Sequence, residues 1–117
     1  MPKLTNGFAM FSMCGNLTSF TSDLPSLTNG GSMFEYCFSL TSFKSDLTNL
    51  TDGRGMFMEC NSLSSFEAEL PNLVEGFCMF SGCKLNLESV ERIASSLPYS
   101  PAMESLHIDI EGTTPTT

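Results

Sequence analysis

Residues 33–43 read Met-Phe-Glu-Tyr-Cys-Phe-Ser-Leu-Thr-Ser-Phe, and this stretch decides the fold because its apolar positions recur along the chain. The pair Met33-Phe34 has equivalents at 10–11, 56–57 and 79–80, always 23 residues apart and without an insertion. The same spacing relates columns of Cys, Leu, Phe and Gly: Cys14, Cys37, Cys60 and Cys83; Leu17, Leu40 and Leu63; Phe20, Phe43 and Phe66; Gly7, Gly30, Gly53 and Gly76. A strict period of this length predicts units of one shape that stack on each other.

Each unit contains one predicted strand. Leu-Thr-Ser-Phe is rich in β-formers, and we expect strands over 17–22 and 40–45. Asp-Leu-Pro ends the strand, because proline cannot continue a ladder, and Leu-Thr-Asn-Gly reads as a turn. Met-Phe-x-x-Cys places apolar groups at i, i+1 and i+4, which predicts a single helical turn on the convex back of the unit.

The two ends of the chain depart from the period. The repeats are predicted to occupy 10–83, after a partial repeat over 1–9 that lacks its strand. Residues 84–110 are predicted to form a C-terminal cap, with a helix over 87–97 that Asn86 caps and a strand over 106–110 beside residues 63–68. Residues 111–117 read as a flexible tail. The uncapped N-terminal end predicts self-association through that end, most simply as a two-fold dimer, or a longer array.

At the level of motifs the chain resembles the BspA-type leucine-rich repeat family. The resemblance rests on Met-Phe-x-x-Cys-x-Ser-Leu-Thr-Ser-Phe and covers roughly residues 2–86. It departs at Phe20, Phe43 and Phe66, where that family usually has Ile. The resemblance implies an α/β repeat, a right-handed leucine-rich-repeat solenoid with one short parallel strand per turn. It also implies a microbial surface or phage-associated protein, so an extracellular surface or a virion is the favoured location.

Charge and hydropathy exclude several classes of function. The chain has 13 Asp and Glu against 5 Lys and Arg, a formal net charge of −8, which argues against nucleic acid and anionic membrane surfaces as partners. There is no apolar run long enough for membrane insertion. Residues 1–5 lack the apolar core of a signal peptide, so either the protein is not exported by means of a signal peptide or the upstream part is missing.

The motifs give little support to a metal site, a disulfide or a catalytic centre. Stacked cysteines lie in a line that no single zinc ion spans, and their side chains point the same way, so we expect reduced, buried thiols. The acidic column Asp23, Asp46 and Glu69 is expected to serve the turns rather than calcium. His107, the only histidine, has no nucleophile motif paired with it. We therefore predict no enzyme, no catalytic residue, no metal and no cofactor.

The strand face is the remaining candidate site. If Phe20 faces the core, alternation puts Thr18 and Ser22 inward and leaves the other strand residues outward. The outward set is Ser19, Thr21, Ser42, Lys44, Ser65 and Glu67. One column in it changes chemistry from unit to unit, as Thr21, Lys44 and Glu67. A column free of packing demands is where a solenoid would place recognition of a protein or glycan ligand, and the alternative is a plain solvated sheet face. The sequence thus favours an adhesion or recognition module, with a purely structural spacer in a longer fibre or surface protein as the alternative.

Overall fold

The structure, a computed structural model, describes residues 2–98 and contains a small parallel sheet and one helix, an α/β mix. The elements in chain order are β1 (Ser19–Phe20), β2 (Ser42–Lys44), β3 (Ser65–Glu67) and α1 (Leu87–Ser96). The strands pair in the order β1-β2-β3, all parallel. The register joins residues 23 apart, such as Phe20 with Phe43 and Phe43 with Phe66, so the predicted columns are real neighbours in the sheet.

The strands are shorter than predicted, and one column points the other way. The N–H groups of Leu17 and Leu40 donate to the carbonyls of Cys14 and Cys37, three residues back, so the chain is still in a turn there and the strand begins later. Thr18 is consequently exposed rather than inward, and the hydroxyl of Thr41 donates at the surface to the carbonyl of Thr18. The next inward column agrees with the prediction, since Ser22 is half-buried and Ser45 and Ala68 are buried.

Met-Phe-x-x-Cys does not form the predicted helical turn. The segment consists of tight turns, with N–H groups such as those of Glu35 and Cys37 donating to carbonyls three residues back. Two residues of each such segment have left-handed backbone, for example Ser32 at φ 53° and Tyr36 at φ 62°. Between them, alternate N–H groups donate to the next unit, as Phe34 does to the carbonyl of Met56 at 2.8 Å. The helix prediction is wrong because these amides serve the stacking of units instead of bonds within one unit.

The repeated apolar columns form the core, as predicted. Met33, Phe34, Cys37, Leu40 and Phe43 are fully buried, and so are their equivalents in the next unit. The phenyl rings form two ladders, with centroids 5.4 Å apart and nearly parallel planes from Phe34 to Phe57 and from Phe43 to Phe66. The ladders meet edge to face, with Phe43 and Phe57 at 4.8 Å and 74°.

The cysteine column has a function that the sequence did not indicate. Cys37, Cys60 and Cys83 are buried, as expected, and each Sγ lies 3.0–3.2 Å from the carbonyl oxygen of a phenylalanine in the preceding unit. The thiol therefore donates a weak hydrogen bond between units while filling the core as a small hydrophobe. Cys14 is only half-buried, because it lies in the first unit of the stack.

The helix covers the last strand. Asn86 accepts a hydrogen bond from the Ser89 N–H, which confirms the predicted N-cap, and α1 ends one residue before the predicted limit. Two of its hydroxyls accept backbone N–H groups of the preceding unit, from Phe66 to Ser89 at 2.8 Å and from Leu70 to Ser96 at 2.9 Å. The predicted strand over 106–110 and tail over 111–117 lie outside the described residues. In the described part, no helix is long and apolar enough to cross a membrane.

Candidate functional site

The structure brings the predicted strand-face residues together on one side of the sheet. Ser19, Ser42 and Ser65 are direct partners across the strands, and so are Lys44 and Glu67. Ser42 and Ser65 are half-buried, whereas Ser19, Thr21, Lys44 and Glu67 are exposed. The face is therefore a strip of hydroxyls bordered by the variable column that ends in Lys44 and Glu67.

A groove of about 420 Å³ adjoins this strip where the strands end. It begins at Lys44 and Glu67, so part of the predicted site lines it. The other lining residues come from the acidic column, the turn after β2 and the helix: Asp23, Ser45, Asp46, Leu47, Thr48, Glu69 and Arg92. We call the strip and this hollow together the strand-end groove. The sequence analysis predicted the strand face but not the hollow beside it, although the acidic column lies only two residues beyond the variable column.

Two ion pairs cross the strand-end groove from unit to unit. Lys44 Nζ lies 3.9 Å from Glu67 Oε1, and Arg92 Nη1 lies 3.1 Å from Glu69 Oε2. All four side chains are more than a third exposed, so each pair contributes less than about 1 kcal/mol to stability. Pairs as weak as these can open to let a ligand charge take the place of one partner.

The carboxylates of the acidic column are held by local hydrogen bonds. Asp46 accepts from the Thr48 hydroxyl at 2.6 Å and from the Thr48 N–H at 2.9 Å, and these bonds lower the pKa of its carboxyl group. Asp23 accepts from the backbone N–H of Asp46 at 3.1 Å. The prediction that this column serves the turns is confirmed for Asp46. Among residues 2–98, no group of three or more His, Cys, Asp or Glu is placed to hold a metal ion.

The balance of charge favours a particular ligand chemistry. The strand-end groove has four carboxylates against two cations, and both cations already pair with one carboxylate each. The excess negative charge sits at Asp23 and Asp46. Hydroxyl, amide or ammonium groups suit such a surface, and its lining residues include no aromatic side chain to anchor an apolar ligand.

A second groove, of about 710 Å³, is lined by Ser26, Thr28, Asn49, Thr51, Asn72 and Val74. Most of its polar side chains already donate to carbonyls of the preceding unit. Thr28 and Thr51 do so at 3.1 and 3.2 Å, and Asn49 and Asn72 at 2.7 Å. Because stacking occupies these donors, this groove offers a ligand less than the strand-end groove does.

Buried thiols offer no reactive nucleophile. Burial raises the pKa of Cys60 to about 12, and burial also raises the pKa of Cys83, so both stay protonated at neutral pH. His107 lies outside the described residues. Comparison of the chain with family models, curated proteins and solved structures finds no match.

Proposed function

We propose that this chain is a non-enzymatic recognition module that binds a polar ligand in the strand-end groove. In this proposal the stacked units form a right-handed leucine-rich-repeat solenoid of the BspA type, within a microbial surface or virion protein. The observation that carries the proposal is the column Thr21, Lys44 and Glu67. It is exposed and chemically varied beside core columns that repeat almost without change.

The ligand class follows from the chemistry of the strand-end groove. Hydroxyls of Ser19, Ser42 and Ser65 and unneutralised carboxylates at Asp23 and Asp46 suit a glycan or a polar, cationic protein segment. Affinity is expected to be weak to moderate, because tight interfaces centre on buried aromatic or arginine anchors. The net charge of −8 disfavours nucleic acid as a partner.

A charge swap tests the proposal. The double variant Lys44→Glu, Glu67→Lys preserves net charge and lets the pair re-form, but it reverses the pattern a ligand meets. We expect binding to glycan and peptide arrays to weaken at least about tenfold, the effect of about 1.4 kcal/mol. Ligands found on the arrays would then be titrated in solution against both proteins.

The matched control is the double variant Lys3→Glu, Glu75→Lys, which swaps two exposed charges outside the groove. It should bind as the parent does. Binding that survives the Lys44 and Glu67 swap unchanged, or that the control swap weakens equally, would remove the strand-end groove as the ligand site.

The alternative is a structural spacer in a longer fibre or surface protein. The observation in its favour is that the groove neutralises both of its cations internally, through the pairs with Glu67 and Glu69. A spacer needs no ligand, so a parent protein that binds nothing on either array at about 1 mM would favour this alternative over recognition.

A further inference from the structure

Every second peptide unit on the back of the molecule points the same way along the stack. We call residues 6–13, 29–36, 52–59 and 75–82 the back segments. In the first, alternate N–H groups donate to carbonyls of the second at 2.8–2.9 Å: Gly7 to Asn29, Ala9 to Gly31, Phe11 to Met33 and Met13 to Glu35. The same four bonds recur at both later junctions. Each of these peptides thus points its carbonyl toward the preceding unit and its N–H toward the following one.

This alignment leaves a row of four acceptors at one edge, beside the N–H of Asn6, whose equivalents in later units donate to the preceding unit. The carbonyls of Asn6, Phe8, Met10 and Ser12 hold the positions that accept bonds in every later unit, and none accepts a hydrogen bond within residues 2–98. Aligned peptide dipoles add, so their carbonyl end carries partial negative charge. Buried backbone acceptors need donors, and a partner that covers this edge must therefore supply N–H groups.

The same edge exposes apolar side chains whose equivalents in the later units are buried in the core. Met10 is 47% exposed, whereas its equivalents Met33, Met56 and Met79 are fully buried. In each later unit the methionine lies on a glycine of the unit before it. A Cβ atom added to Gly7 would come within 2.9 Å of the Met33 Sδ, and Gly30 and Gly53 have the same relation to Met56 and Met79. Leu4, Phe11, Cys14 and Leu17 are likewise only half-buried.

We propose that this edge, the carbonyl face, docks a polypeptide segment that has the chemistry of a repeat unit. The face comprises the four carbonyls together with Leu4, Met10, Phe11 and Leu17. The segment must supply amide donors at alternate residues, a glycine opposite Met10 and apolar side chains over Phe11 and Leu17. The proposal is independent of the strand-end groove and of any ligand bound there.

A second copy in a two-fold arrangement fits the carbonyl face less well. Two such faces would bring the four carbonyls of one copy against those of the other, so these acceptors would be buried without donors, which is unfavourable for each of them. The two-fold dimer predicted from the sequence would bury the same apolar layer but would leave these carbonyls without donors. A donor-bearing segment buries the layer and satisfies the acceptors together.

The test is a binding titration with a labelled peptide of residues 25–47 of this chain, which contains Gly30 and one full set of the amide donors. Fluorescence anisotropy against the intact chain, under reducing conditions, should show saturable binding. Met10→Glu should weaken it at least tenfold, because a carboxylate then lies among the carbonyls. The folded state tolerates this change, since Met10 is half exposed, and circular dichroism would verify it.

Two controls make the result specific. Met13→Glu adds the same charge at a side chain that is 71% exposed and off the apolar layer, and it should bind like the parent. A peptide with Gly30→Val, which would clash with Met10, should not bind. The proposal is overturned by the absence of saturable binding up to about 1 mM, by equal loss in both protein variants, or by equal binding of a scrambled peptide. A dimer of the chain that Met10→Glu dissociates would assign the face to a second copy instead.

Discussion

Replacing Phe43 by alanine is expected to lower the free energy of unfolding by about 3–5 kcal/mol, the usual cost of truncating a buried aromatic side chain. Phe43 is fully buried and stacks on Phe20 and Phe66, both at 5.4 Å. Its ring also meets Phe34 and Phe57 edge to face, so the cavity would open at the junction of both ladders. A domain of this size has only about 5–15 kcal/mol in total.

Urea unfolding of the variant and the parent measures this loss. The matched control is Phe38→Ala. Phe38 is 50% exposed, and its ring lies beside that of Tyr36, with the ring centroids 6.0 Å apart, outside the two phenyl ladders. We expect the control to lose less than about 1 kcal/mol, as surface substitutions usually do. A loss that small in Phe43→Ala would mean that the ladders do not hold the units together.

Replacing Ser89 by alanine is expected to cost about 1–3 kcal/mol, because it leaves a buried backbone N–H without a partner. The Ser89 hydroxyl is buried and accepts the Phe66 N–H at 2.8 Å, on the edge of β3 away from β2. The Ser89 hydroxyl thus accepts a backbone hydrogen bond from β3 that a neighbouring strand would otherwise accept. Its loss should weaken the contact of α1 with the sheet as well as global stability.

The control for Ser89 is Ser95→Ala on the same helix. Ser95 is exposed, and within residues 2–98 its hydroxyl donates only to the Arg92 carbonyl in the same helix. Alanine is a better helix former than serine, so this change should be neutral or slightly stabilising. Thermal unfolding followed by far-ultraviolet circular dichroism compares the two. Equal stability of both variants would mean that the helix does not depend on the Ser89 bond to hold the edge of β3.

The repeat columns could be predicted from the sequence because each apolar residue recurs at one spacing and packs on its own equivalents. The helix was predictable for a related reason, since Val90, Ile93 and Leu97 follow a helical period after Asn86. The back segments were not, because apolar residues at i, i+1 and i+4 fit a helical turn and tight turns equally well. One signal was present, since Gly55 and Gly82 share columns with the left-handed residues Ser32 and Tyr36.

The strand-face part of the candidate site could be predicted from the sequence. The rest of the groove could not, because it depends on how distant parts of the chain are arranged in space. Strand alternation located Lys44 and Glu67 on the outer face, where the structure has them. The floor and far wall of the groove depend on how Thr48 turns back to Asp46 and where α1 lies, neither of which follows from a repeat pattern. Arg92 lies 23 residues after Glu69, yet it belongs to the helix that replaces the next strand.

The stacking of 23-residue units supports both the recognition surface and the carbonyl face, and scalar couplings across hydrogen bonds test it most directly. Nuclear magnetic resonance can detect a coupling between an amide nitrogen and the carbonyl carbon that accepts its proton. We predict couplings from Ser32 to Arg54, from Phe34 to Met56 and from Tyr36 to Met58, each pair 22 residues apart. Couplings between residues four apart in 30–37, as in a helical turn, would contradict the stacked arrangement.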